Sequence, residues 1–202
     1  MFKLRACLVI VILCAVSHPA FSAETSRTQF YFDAGNSYFN DEKYDDAIRS
    51  YSQAISADPG FVQALRNRGL SYYRKGQLDE AVADYSKIIS QFAANADIYQ
   101  NRGLAYLRKG LYGKAAEDYA KAIELGAKSQ EVFYNRGIAL ANSGKYEEAV
   151  EDYNMVLSIR PGDANAYASR GAAYTKRAIA DFKKACDLGN KNACADLKQL
   201  QQ

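Results

Sequence analysis

The chain has 202 residues, of which 24% are charged and 49% hydrophobic, and this is enough for one sizeable folded core. The formal net charge is +3, and it falls to +1 (24 basic against 23 acidic residues) when Lys3 and Arg5 of the N-terminal segment are set aside. A balance this close to neutral argues against a general binder of nucleic acids or anionic membranes.

Residues 1–22 have the layout of a secretory signal peptide. A basic start is followed by an apolar run at residues 6–16 and by a polar exit with small side chains at residues 17–23. A membrane-spanning helix takes about 20 residues, so the run is too short to cross a bilayer comfortably. We expect cleavage after Ser22 or Ala23, with export to the periplasm if the source is bacterial, or secretion. An uncleaved N-terminal anchor is the alternative.

Glycines recur at a spacing of 34 residues through the rest of the chain. Most units also carry a Tyr three positions after the glycine, an Ala after twelve and a Tyr after sixteen. Self-similarity at this period is typical of helical repeat arrays, in which a single unit cannot bury its apolar face alone. The repeat glycines are Gly35, Gly69, Gly103, Gly137 and Gly171.

Each unit divides into two amphipathic stretches with the apolar spacing of α-helices. In the second unit these stretches are residues 62–75 and 78–90. Between them, Gly76 can adopt the left-handed conformation that ends a helix, and Glu42 takes this place in the first unit. The repeat glycine would let the two helices of a unit approach closely, with the alanine twelve residues later as its facing small residue.

The period and the Gly, Ala and Tyr positions resemble the tetratricopeptide repeat family over residues 28 to about 188. This resemblance implies an all-α fold, a right-handed superhelix or α-solenoid. It also implies a protein-interaction scaffold without a cofactor. The predicted units are residues 28–61, 62–95, 96–129, 130–163 and a truncated 164–188, followed by a capping helix at 189–202.

Four units share an Arg directly before the repeat glycine and an Asp before the aromatic residue of the second helix. The first unit has Ala34 and Ser50 instead, so it loses both together. This joint loss predicts ion pairs within units, because pairing with the next unit would leave Arg68 facing Ser50. An arginine ladder that binds anions is the alternative. The predicted pairs are Arg68–Asp84, Arg102–Asp118, Arg136–Asp152 and Arg170–Asp181.

The fifth unit lacks five residues, and these include the turn between its helices. Ala178 follows Tyr174 after four positions, whereas the equivalent distance elsewhere is nine. The remaining segment has no Gly, Pro or Asn, so we expect one long helix over about 165–188 instead of a hairpin. Its far end would project from the array and be free to pack against another protein surface. Self-association through this C-terminal region is one outcome.

Two cysteines remain after the predicted leader is removed, Cys186 and Cys194. An oxidising compartment would favour joining them. Their spacing around a predicted helix end resembles the helix-bridging pairs of Sel1-like repeat proteins, and this resemblance implies a disulfide. Two buried reduced thiols are the alternative. Two thiols without a nearby His fall short of the four ligands of a typical structural metal site, so we expect no metal.

By the same family resemblance, the first helices line a concave face. The positions exposed there give an apolar floor with arginines along it, and this combination is typical of interface hot spots. A ladder of asparagines could bind a peptide backbone. The predicted partner-binding residues are Phe32, Asn36, Phe39, Arg66, Asn67, Leu70, Tyr73, Arg74, Asn101, Leu104, Leu107, Arg108, Tyr134, Asn135 and Ile138. Alternatively, these side chains only cover the inner wall.

A carboxylate clamp, the pattern with which this family binds chaperone tails, is poorly matched. Its five positions hold Phe32, Asn36, Asn67, Asp97 and Asn101. Only Asn36 and Asn67 fit, and Asp97 has the wrong charge for a carboxylate ligand. We therefore do not expect a chaperone-tail adaptor.

The function that these patterns favour is an exported scaffold that binds a peptide or protein with apolar and some acidic residues. We expect no enzyme, because the only His is His18 of the leader and no Ser–His, Cys–His or P-loop arrangement is present. We also expect no nucleic-acid partner and no stable membrane insertion after cleavage. A structural part of an envelope or secretion assembly, or a glycan-binding module, is the alternative function.

Overall fold

The computed structural model describes residues 19–200, so most of the predicted leader (residues 1–22) lies outside the described residues. Within 19–200 the secondary structure consists of ten α-helices. None of these helices is both long and apolar enough to cross a membrane. The helices are α1 (Pro19–Asn40), α2 (Tyr44–Ala57), α3 (Val62–Lys75), α4 (Leu78–Gln91), α5 (Ala96–Arg108), α6 (Tyr112–Glu124), α7 (Gln130–Asn142), α8 (Tyr146–Ile159), α9 (Ala164–Asp187) and α10 (Lys191–Leu200).

The helices stack as consecutive antiparallel pairs, each packed against the next in sequence. The first helices of successive units also touch one another, as α1 does α3 and α3 does α5. The second helices α2, α4, α6 and α8 make no such contacts. Because like helices approach only on one side, the array curves with the first helices on its inner face. The predicted all-α solenoid is confirmed.

The core of each complete unit is a tyrosine ring pressed against the repeat glycine. A β-carbon added at Gly35 would lie 2.5 Å from the Tyr51 ring, and one added at Gly103 would lie 3.2 Å from the Tyr119 ring. These tyrosines are buried. The sequence predicted close helix approach correctly, but the nearest side chain to the glycine is the tyrosine and not the alanine twelve residues on.

The turns between paired helices end in the left-handed conformation, as the sequence predicted. Gly76 has a φ of 85° and Gly144 also has 85°. In the first unit Glu42 holds this conformation with a φ of 59°, although it is not a glycine. A side chain in this region crowds the following carbonyl oxygen, so the first turn is strained where the others are not.

Three arginine–aspartate pairs connect the two helices of units two to four. The Nη2–Oδ1 distances are 2.7 Å for Arg68–Asp84, 2.8 Å for Arg102–Asp118 and 2.6 Å for Arg136–Asp152. In each pair the arginine Nε donates to the second carboxylate oxygen. The three aspartates are buried, and the hydrogen bond to the carboxylate raises the pKa of each guanidinium. Burial acts on the aspartate of the third pair and raises the pKa of Asp152. The two hydrogen bonds in each pair give the buried carboxylate a donor for both of its oxygens.

The fifth unit is the single long helix α9, so the missing turn leaves no hairpin. The predicted Arg170–Asp181 pair is wrong for this reason. Both residues lie on α9, and 11 residues of helix separate them by about 16 Å along the axis. Arg170 Nη1 instead donates to Asn154 Oδ1 on α8 at 2.6 Å, while Arg177 Nε lies 3.9 Å from Asp181 Oδ2.

The C-terminal helix α10 folds back against α9. Gly189, with a φ of 95°, makes the reversal between them. The Cys186 and Cys194 sulfurs are joined in a disulfide across this turn. The last helix thus covers the end of the array and is tied to it covalently.

Candidate functional site

The inner face of the array is formed by α1, α3, α5 and α7, and it carries all of the predicted partner-binding residues. Every one of these side chains is half-buried or exposed. They are therefore reachable from the groove, while the residues that alternate with them along the same helices, such as Leu65 and Ala105, are buried in the core.

A cavity of about 350 Å³ opens between α1 and α3 in this groove. Its walls combine the apolar side chains of Phe39 and Leu70 with polar amides. It therefore brings together four predicted residues from two units. The lining residues are Asn36, Phe39, Asn40, Tyr51, Asn67 and Leu70.

The amides of Asn36 and Asn67 are held in place by a small hydrogen-bond network. Tyr51 Oη donates to Asn36 Oδ1 at 2.8 Å, and Asn67 Nδ2 donates to the same oxygen at 2.9 Å. Burial raises the pKa of the Tyr51 hydroxyl to about 12, so it remains a donor at neutral pH. Because the Asn36 oxygen accepts both bonds, its amide nitrogen is available to donate to a ligand.

This network belongs to the first two units alone. The position of Asn36 is taken by Leu70, Leu104 and Ile138 in the next three units. Tyr85 and Tyr119 consequently have buried hydroxyls with no hydrogen-bond partner among the described residues, and burial raises the pKa of both. The groove is thus polar at its N-terminal end and more apolar along its middle.

Arginines lie along the same stretch of groove. Arg66 and Arg74 on α3 are exposed. Arg108 lies over the Tyr73 ring at 4.7 Å from its centroid, and its Nη1 donates to the Tyr73 carbonyl oxygen at 3.0 Å. This contact holds one guanidinium on an aromatic face, where less side-chain entropy is lost on binding.

Several predicted binding residues also have a structural role. Phe32 packs on Phe61 with ring centroids 4.8 Å apart. Tyr134 packs on Tyr153 at 5.9 Å, and its hydroxyl lies 3.1 Å from Ser169 Oγ. Each of these rings shares its surface between the core and the groove, so substitution there would affect folding as well as binding.

Two contacts that the repeat pattern did not predict join successive units. Arg68 Nη1 donates to Ser52 Oγ and Arg102 Nη1 to Ser86 Oγ, both at 3.0 Å. Each arginine therefore binds an aspartate of its own unit and a serine of the preceding one. The signal was a serine recurring 16 residues before the arginine. Tyr51 of the cavity was also missed, because its hydroxyl reaches the groove from the second helix.

The comparison with curated proteins found no match. Similar solved structures do exist. The crystal structure of MamA is 26% identical, with 87% of this chain and 91% of that chain covered, at a TM-score of 0.72. The crystal structure of YrrB, a TPR protein with an unusual peptide-binding site, is 22% identical. The alignment covers 89% of this chain and 96% of that chain at a TM-score of 0.71, and this likeness shows the fold alone.

The second TPR domain of human RPAP3, solved by NMR in complex with the HSP70 peptide SGPTIEEVD, is 31% identical. The alignment covers 55% of this chain and 92% of that domain, at a TM-score of 0.51. The family model for the tetratricopeptide repeat matches residues 32–97 and 101–164, more than half of the sequence. Repeat period, stacked helix pairs and this match agree, and the chain belongs to the tetratricopeptide repeat family.

Proposed function

We propose that this chain is an exported scaffold that binds a peptide segment of a partner protein in the groove formed by α1, α3, α5 and α7. The observation that carries the proposal is the cavity between α1 and α3. Its apolar walls, Phe39 and Leu70, lie beside the fixed amides of Asn36 and Asn67. A side-chain pocket next to groups that can bind a peptide backbone is how extended peptides are recognised.

The ligand that suits this groove has apolar side chains and some acidic ones. The exposed Arg66 and Arg74 and the stacked Arg108 place positive charge beside the apolar floor. The RPAP3 domain offers a parallel, since its bound peptide contains both apolar and acidic residues. Asp97, also exposed on the groove helix α5, still argues against a chaperone-type terminal carboxylate at that point.

Export rests on the layout of residues 1–22 and on the cysteine pair. A disulfide between Cys186 and Cys194 persists in oxidising compartments and is rare in the cytosol. The N-terminus of the protein purified from its native source tests this part of the proposal. Mass spectrometry should find a chain beginning at Ala23 or Glu24, and a chain retaining residues 1–22 would contradict processing.

A peptide-display selection against the purified protein tests the groove. Selected peptides should share apolar and acidic positions, and Leu70→Glu should weaken their binding about tenfold or more, because it places a charge in the cavity wall. Met155→Glu is the matched control, since Met155 is 45% exposed on α8, outside the groove. Equal binding by Leu70→Glu and the unaltered protein, with the helical circular dichroism unchanged, would reject this site.

A further inference from the structure

The C-terminal half of α9 carries the sequence of a second helix. In units two to four, an Ala, an Asp three residues later and then a Tyr form the buried side of the second helix. The same pattern occurs in α9 as Ala178, Asp181 and Phe182. The N-terminal half of α9 carries the first-helix pattern with Arg170 and Gly171. One straight helix therefore contains both halves of a unit that elsewhere folds as a hairpin.

Neither half of α9 has the partner that it has in the other units. In units one to four a tyrosine ring covers the repeat glycine, but nothing in the described chain lies within 4 Å of a β-carbon added at Gly171. The flanking rings of Tyr167 and Tyr174 are 51% and 50% exposed. The side chain of Asp181 is 76% exposed, whereas the aspartates of units two to four are buried.

The helix geometry explains why one copy cannot satisfy these groups. Gly171 and Phe182 are 11 residues apart, which is about three full turns, so they lie on the same side of α9. They are also about 16 Å apart along the axis and cannot meet. A second α9 running antiparallel on this side would place Phe182 of one copy on Gly171 of the other, and the same register would pair Arg170 with Asp181.

This register is self-complementary. Its two-fold axis falls near residue 176, close to the middle of the 24-residue helix, so the two helices overlap over nearly all of their length of about 36 Å. Each contact then occurs twice, as an isologous interface requires. Near the axis, Arg177 lies about 120° of helix rotation from Gly171 and is paired with Glu147 on α8, so it adds no like-charge contact there.

The neighbouring helices leave the N-terminal half of this side of α9 open, while Ala178 and Phe182 farther along the same side are half-buried. Ala166 and Ala173, which are buried, lie on the opposite side. The disulfide at Cys186 holds α10 along a different side of the C-terminal half, about 60° of helix rotation from Gly171. A partner helix can therefore lie along the stripe of Tyr167, Gly171 and Tyr174 while α10 remains in place.

We propose that two copies of this chain form a two-fold symmetric dimer through α9, in which each copy supplies the second helix that the other's fifth unit lacks. Shortening the loop between two helices favours the exchange of a helix between copies, because the hairpin can no longer form within one chain. The dimer would join two arrays at their C-terminal ends and present two grooves. A partner with two binding segments would then gain affinity from bivalency.

Charge reversal at the predicted contact tests the register. Sedimentation equilibrium on the purified chain should show a dimer. Arg170→Asp and Asp181→Arg should each weaken dimerisation about 100-fold, because each variant repels itself at two symmetric contacts. An equimolar mixture of the two variants should form a heterodimer, since both of its contacts then join opposite charges. A monomeric unaltered chain, or dimerisation that neither variant weakens, would overturn the proposal, as would a mixture that stays monomeric.

Restoring the missing turn is an independent test. A copy of residues 142–146 inserted between Thr175 and Lys176 returns the spacing of Tyr174 and Ala178 to nine residues. The fifth unit should then close on itself, with Gly171 covered within the same copy, and the protein should be a folded monomer. A variant that still dimerises as tightly as the unaltered chain would show that the interface does not depend on the exchanged helix.

Discussion

Gly137 lies directly against the ring of Tyr153, and a β-carbon added to Gly137 would come within 2.7 Å of Tyr153 Cε1. The same relationship joins glycine and tyrosine in each of the other complete units. A glycine inside a helix costs about 0.5–1 kcal/mol relative to alanine. Here the absence of a side chain lets a large ring enter the space between the helices, so burial of the ring offsets that cost.

Gly137→Ala should therefore destabilise the protein although alanine favours helices. The added methyl group overlaps a ring that is 2% exposed and has no room to shift, and overpacking of this kind costs about 1–3 kcal/mol. Urea denaturation followed by circular dichroism measures the change. Gly113→Ala in α6 is the control, because no atom lies within 4 Å of its added β-carbon. It should raise stability, and a similar loss in both variants would contradict this packing role.

Removing one partner of the Arg102–Asp118 pair should be costly. The side chain of Asp118 is 7% exposed and that of Arg102 is 18% exposed, so Asp118→Leu leaves a largely buried guanidinium without its carboxylate. We expect a loss of about 3 kcal/mol in the free energy of unfolding. Arg49→Met breaks a surface pair with Asp46, where Arg49 is 76% exposed, and should cost less than about 1 kcal/mol.

A double variant separates the pair from its two members. Arg102→Met combined with Asp118→Leu should be less destabilised than the sum of the single losses, because no unpaired charge remains. Additive losses would mean that the two side chains stabilise the unit separately. The bond from Arg102 to Ser86 is lost in both Arg102 variants, so it does not affect this comparison.

Glu42→Gly should stabilise the first unit. Glu42 has a φ of 59°, a conformation that costs a residue with a side chain about 1–2 kcal/mol and costs glycine almost nothing. The gain in stability should be about 1 kcal/mol, after the greater entropy of glycine in the unfolded chain is subtracted. Gly76→Ala at the equivalent turn should lose a similar amount, and thermal unfolding of both variants checks the signs. A destabilised Glu42→Gly would show that the Glu42 side chain matters more than its backbone.

The period of 34 residues was enough to predict the helix pairs and the turns, and the family resemblance indicated the side of each first helix that faces the groove. It was not enough where two patterns conflicted. Alignment with the other units paired Arg170 with Asp181, while the missing turn predicted one straight helix, and only the second is right. Alignment assumes that equivalent residues have equivalent surroundings, and that assumption fails when the chain between them no longer reverses.

The cavity was less predictable than the fold. The bond from Tyr51 to Asn36 links residues 15 positions apart on different helices. Its formation depends on how far the two helices rotate about their axes, which the apolar pattern does not specify. The family resemblance placed Asn36 and Asn67 on the inner face, but only the packed helices show that these amides bind each other.

Alkaline pH should unfold the protein through its buried tyrosines. Burial raises the pKa of Tyr51 and of Tyr153 from 10.0 to about 12, and it raises the pKa of Tyr85 and Tyr119 as well. The folded state thus holds protons that the unfolded state releases. The contribution of these protonated tyrosines to the free energy of unfolding is fully present below pH 10 and is lost as the pH rises towards 12.

Tyrosinate absorbance and circular dichroism, recorded together against pH, check this prediction. Part of the tyrosinate signal should appear only with the loss of helix, whereas in urea all tyrosines should ionise near a pH of about 10. Complete ionisation with the helices intact would show that the four rings reach solvent. Tyr51→Phe should shift the midpoint of unfolding to higher pH, because one group that ionises on unfolding is removed, although the bond to Asn36 is lost as well.

Reduction of the disulfide should loosen α10 and leave the rest of the array folded. The bond closes a short loop of sequence separation 8, and releasing a loop of this size costs on the order of 2–3 kcal/mol by the chain-entropy argument. The effect should stay local, because a solenoid unit contacts only its neighbours.

Hydrogen exchange in the presence and absence of reductant measures this effect. Amides of α10 and of the end of α9 should exchange faster, while those of α3 to α6 should not change. A Cys194→Ser variant cannot form the disulfide, so it should show the same exchange pattern without reductant. Faster exchange throughout the array would instead mean that the last helix supports the repeats cooperatively.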